Sequence, residues 1–84
     1  MLARLTPEGR RTVVERPERV TQVNTEVEEM GARVLQQWAV LGPYDFVSIV
    51  EAPDNETIAE ISFKLGSRGT VEFLTMPAIS LPDA

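Results

Sequence analysis

The sequence predicts an α+β domain, a four-stranded antiparallel sheet with two helices on one face. Three observations lead there. An amphipathic stretch, Pro17 to Met30, separates a short apolar opening from two strand-like runs. Those runs meet at Gly42-Pro43, a turn dipeptide, so they read as a hairpin. A second helical stretch and a last strand follow, giving the order β-α-β-β-α-β.

The opening Leu2-Ala3-Arg4-Leu5 reads as a short strand. Thr6-Pro7-Glu8 has the residues of a helix start: a hydroxyl cap, a proline at the first position and an acid at the positive end. Gly9 weakens that turn, and Pro17 interrupts whatever helix began. From there Val20, Val23, Val27 and Met30 share one helical face, while Arg19, Gln22, Glu26 and Glu29 lie away from it. Gly31 ends the helix. Arg33 to Leu41 and Asp45 to Ala52 are rich in branched and aromatic residues and have strand length. Pro53-Asp54-Asn55-Glu56 closes the second run and caps a helix from Asn55 to Leu65, with Ile58, Ile61 and Leu65 inward and Gly66 as its stop. Thr70 to Met76 is the last strand, and residues 77–84 form a tail in which Pro77 and Pro82 bracket Ala78 to Leu81.

Eighty-four residues make one domain, 1–84, because a second core would leave each half below the size that folds unaided. Cysteine and histidine are both absent, which excludes disulfides, thiolate and imidazole metal sites, and every Ser-His or Cys-His device. Eight basic against 13 acidic residues give a net charge of -5, which disfavours nucleic acid as a partner. No apolar run approaches the ~20 residues of a membrane span. A cytoplasmic protein with no membrane partner is expected, with no metal and no cofactor.

The strand order makes this the ferredoxin-like split βαβ layout. In it the helices cover one sheet face and leave the other bare. Pairing Val40 with Phe46 across the turn puts Gln36, Trp38, Val40, Phe46, Ser48 and Val50 on one face, and Leu35, Ala39, Leu41, Val47 and Ile49 on the other. Both sets are largely apolar. A bare apolar face of several hundred Å² is unusual for a monomer, so a homodimer or higher oligomer is expected, with Trp38 in the subunit interface.

The hairpin also carries a resemblance. Leu41-Gly42-Pro43-Tyr44-Asp45 followed by Ile49-Val50-Glu51-Ala52-Pro53-Asp54 resembles the GYD domain, as do Thr6-x-x-Gly9, Pro17-x-Arg19 and Leu65-Gly66-Ser67-x-Gly69-x-Val71. The resemblance implies a dimeric α/β barrel and brings no established general activity with it. It departs at the start: family members open with a longer strand, whereas about five residues precede Thr6 here, so the first strand is expected to be short, supplied differently, or lost to a late start site. A looser likeness extends to the ligand-sensing domain of the Lrp/AsnC regulators, without their helix-turn-helix partner. Function does not follow from such a likeness of fold.

No catalytic set stands out; the candidate ligand-binding residues are Gln36, Trp38, Tyr44, Asp45, Ser48 and Arg68. Asp45 reads first as a cap for turn amides and second as an acceptor for a ligand, with the Tyr44 phenol beside it. Trp38 with Gln36 and Ser48 reads as interface packing or as the polar part of an apolar cleft. Arg68 between Ser67 and Gly69 reads as a solvated charge or as an anion clamp. Glu26, Glu28 and Glu29 read as a solvated helix face rather than a cation site, and Glu51 as a strand-end acid in water. The function expected is a homodimeric, non-catalytic domain holding a small molecule at the subunit interface. The alternatives are a cofactor-independent enzyme of oxygenase or isomerase type, resting on Tyr44, Asp45, Glu51, Lys64 or Arg68, and a structural assembly module.

Overall fold

The computed structural model describes residues 1–82. In chain order they form β1 (Leu2–Leu5), α1 (Pro7–Glu15), α2 (Arg19–Glu29), β2 (Arg33–Ala39), β3 (Phe46–Glu51), α3 (Asn55–Gly66) and β4 (Val71–Leu74). The strands make one antiparallel sheet in the order β2-β3-β1-β4, the ferredoxin-like arrangement expected. The first crossover holds two helices instead of one, because Pro17 divides it. After β4 the chain is irregular to residue 82; the end of the expected tail, residues 83 and 84, lies outside the described residues.

Gly9 does not stop α1. It is buried in the helix against the chain entering β4, and a Cβ built on it would stand 1.9 Å from the Thr70 carbonyl oxygen. Thr6 fixes this approach from beside it. Its hydroxyl accepts the Gly9 amide at 3.1 Å and donates to the Gly69 carbonyl at 2.8 Å, while its own amide donates to the Thr70 carbonyl at 3.0 Å. The threonine thus serves as helix cap and as tie between the start of α1 and the start of β4.

α2 carries Val20, Val23 and Val27 toward the sheet and ends where Gly31 takes φ +100°, a conformation that a side chain resists. Asp54 caps α3 by accepting the Thr57 amide at 2.8 Å. That helix includes Gly66 as its last residue, where the sequence placed its stop. Ile61 and Leu65 drop from α3 onto Val27 and Ala32, and these four form the buried core cluster, with Ile61 fully buried. Burial of an aliphatic side chain such as Ile61 contributes about 2–3 kcal/mol.

The hairpin register differs from the one expected. Ala39, not Val40, stands opposite Phe46; Trp38 pairs with Val47, Gln37 with Ser48 and Gln36 with Ile49. Between Val34 and Gln36 the ladder shifts, so Leu35 is an extra residue in β2. Since the side-chain period of a strand is two, a one-residue shift moves a residue to the other face. Gln36 and Trp38 therefore share the bare face with Val47 and Ile49, while Phe46, Ser48 and Val50 turn toward the helices. Leu41, expected among the strand residues, is fully exposed in the loop.

Candidate functional site

Two surfaces of the sheet offer sites, one on each face. On the bare face, the pairings Trp38–Val47, Val47–Leu2 and Leu2–Leu74 line up one apolar row across all four strands. Trp38, Ile49 and Leu74 are each 45–49% exposed. Beside the row Arg4 pairs with Glu72 on β4, and its guanidinium lies 5.5 Å from the centre of the Tyr44 ring. The face is thus an apolar band with a polar margin.

On the covered face the layers do not close completely. A cavity of about 170 Å³ lies between α1, α2 and the sheet. Val13 and Val20 form part of its roof, and Phe46, Val50 and Phe73 part of its floor. A polar chain runs along one side: Asn24 Nδ2 donates to Gln37 Oε1 at 2.8 Å, and Gln37 Nε2 donates to Ser48 Oγ at 3.2 Å. Arg19 and Arg68 reach the cavity from elsewhere in its lining, each with about a third of its side chain exposed, so they stand where it meets water.

Both arginines converge on Glu26. Arg68 holds its two carboxylate oxygens through Nη1 and Nη2, and Arg19 Nη2 lies 3.6 Å away. A forked guanidinium-carboxylate pair fixes geometry as well as charge. The Arg68 hydrogen bond holds the Glu26 carboxyl below its usual range, and the same bond raises Arg68. Neither residue is simply the solvated charge that its sequence context suggested; they hold α2 to the loop before β4. Glu51, in contrast, stays exposed at its strand end, 4.0 Å from Arg33.

The six candidates read from the sequence do not come together. Ser48 and Arg68 touch the interlayer cavity. Gln36 and Trp38 lie on the bare face, so the expected grouping of those two with Ser48 is corrected by the register. Asp45 has a longer reach than a turn cap. Its Oδ2 accepts the Leu5 amide at 2.7 Å, its amide donates to the Ala3 carbonyl at 2.8 Å, and its carbonyl accepts from Val40 at 2.9 Å. It thereby ties the hairpin to the end of β1. Tyr44 turns its ring to Arg4.

The Thr6–Gly9 latch onto Thr70 and the Asp45 bond to Leu5 give physical roles to the motif residues of one protein family. The GYD domain pattern matches the chain over residues 1–84. This chain belongs to the GYD domain family. A relative from Thermus thermophilus is 49% identical over 84 residues, which cover 99% of this chain and 88% of that protein. The relative's name is glutamine synthetase and cystathionine beta-lyase binding protein. No solved structure matches.

Within this GYD domain, sequence reasoning missed Asn24 and Gln37, and it missed Glu26 as the partner that Arg19 and Arg68 share. Asn24 carried a faint signal: it is a polar residue one position from Val23, on the flank of the apolar stripe. Gln37 carried none, because the bulge at Leu35 decides which face it takes. Among the described residues no helix is long and apolar enough to cross a membrane.

Proposed function

We propose that this GYD domain is a non-catalytic protein-binding module that pairs with a second copy through its bare sheet face and docks, as that pair, onto other proteins. The observation that carries the reading is the row Trp38–Val47–Leu2–Leu74, with Ile49 beside it. It is apolar across every strand and half-exposed at both ends. Aromatic and aliphatic residues central to a patch, with charges at its margin, are the composition of a protein interface. The relative's printed name supports protein partners for the assembled unit.

Sedimentation equilibrium at micromolar concentration tests the first half of the reading. A dimer is expected, and a folded monomer of 9.3 kDa removes the proposal. Binding of the purified protein to the glutamine synthetase and the cystathionine beta-lyase of its own organism tests the second half. Association with either supports a binding module. Association with neither at tens of micromolar rejects the transfer of partners from the relative.

A further inference from the structure

We propose that the cavity between the helices and the sheet is a binding site for a small carboxylate with a compact apolar body, distinct from the bare face. Its volume, about 170 Å³, is close to that of an engineered apolar cavity of ~150 Å³ that takes up benzene. One ring, or a branched chain of similar size, fits that space. Val13, Val20, Phe46 and Phe73 supply the apolar contact for it.

Charge selects the other end of the ligand. Although the chain is acidic, with 13 acidic and 8 basic residues, no acidic side chain lines the cavity among the described residues. The charged side chains that do are Arg19 and Arg68. Glu26 answers one of the two positive charges and leaves the cluster with an excess of one. Arg19 is the looser partner, at 3.6 Å from Glu26 and with one guanidinium nitrogen on Gln22 at 3.2 Å. A carboxylate entering beside Arg19 keeps the Arg68–Glu26 fork intact. In the polar chain, Ser48 accepts from Gln37 and keeps its hydroxyl proton to donate, so a further ligand oxygen has a partner inside.

Three ring compounds of one shape test the charge: phenylacetate, the neutral phenylacetamide and the cationic phenethylamine. Titration calorimetry is expected to show phenylacetate binding at least about 10-fold tighter than the amide, with the amine weakest. Amide and methyl NMR shifts are expected at Val20, Val23 and Phe46. Arg19→Gln should weaken phenylacetate about 10-fold and leave phenylacetamide unchanged. Glu26→Gln, which removes the negative charge that answers the two guanidinium groups and keeps one acceptor oxygen, should tighten phenylacetate severalfold. Val23→Trp should fill the cavity and abolish binding of all three; where that variant does not fold, Val20→Phe serves. Equal binding of acid and amine, shifts confined to Trp38 and Ile49, or no binding of any probe at millimolar concentration overturns the proposal.

Discussion

Gly9 and Thr70 approach so closely that a single carbon atom cannot be placed between them: a Cβ on Gly9 meets the Thr70 carbonyl oxygen at 1.9 Å. The contact is backbone to backbone, so no side chain can swing aside to relieve it. Gly9→Ala must push α1 away from the entrance to β4 and strain the Thr6 bonds to Gly69 and Thr70. A loss of about 3 kcal/mol in urea unfolding is expected, the upper part of the usual overpacking cost. Equal stability of Gly9→Ala and wild type contradicts this account of the glycine.

Asp45 gives a second prediction. Its carboxylate is the acceptor for the Leu5 amide, across 40 residues of sequence. Asp45→Ala leaves that amide unpaired and is expected to cost about 2 kcal/mol, the scale of a bond to a charged group. Asp45→Asn retains an acceptor oxygen and should cost about half as much. Tyr44→Phe keeps the ring that meets Arg4 and should change stability by less than ~0.5 kcal/mol. Denaturant melts of the three variants check the order.

Glu26 links stability to pH. Its folded carboxyl titrates below the ordinary value of about 4.5, so the folded state favours the ionised form. The contribution is complete above that ordinary value and is lost as pH falls through the lower, folded value. Part of both side chains is in water, so the stabilisation at neutral pH is about 0.2–1 kcal/mol. Glu26→Gln should be less stable than wild type by that amount at pH 7, and the gap should close as acid protonates Glu26. A gap that persists to the lowest pH at which both proteins fold excludes the charge as its cause.

Association should be visible in the melting temperature. If the bare face joins two copies, the wild type melts higher as protein concentration rises. Trp38→Ala should weaken that dependence and lower the melting temperature at every concentration. Calorimetric scans over a hundredfold range of concentration check both. Parallel curves for the two proteins argue that Trp38 lies outside the contact.

Local chemistry made much of this fold legible. The valine stripe of α2, the Asp54 cap and the turn at Gly42-Pro43 each act over a few residues, and each leaves its mark in the sequence. What sequence could not supply was long-range. The extra residue at Leu35 decides the face of Gln36 and Gln37, yet nothing at that position distinguishes it from an ordinary strand residue. Gly9 resembles a helix breaker until the Thr70 carbonyl is seen beside it. The site suffered most. Alternation alone groups Ser48 with Gln36 and Trp38, which stand on the opposite face, and the pairing of Arg68 with Glu26 spans 42 positions.

The shift at Leu35 also governs how these sheets can grow. β2 is an outer strand seven residues long, with one flank unpaired, and a flat ribbon of that kind invites another chain to add itself. The extra residue kinks the ladder partway along it, and Arg33 places a charge at its start. At the opposite margin β4 offers four residues, too few to template a long partner. Lateral growth into filaments is thereby discouraged at both ends of the sheet. If two copies pair through the bare face, in contrast, the contact uses up its own surface after one round and closes as a finite pair.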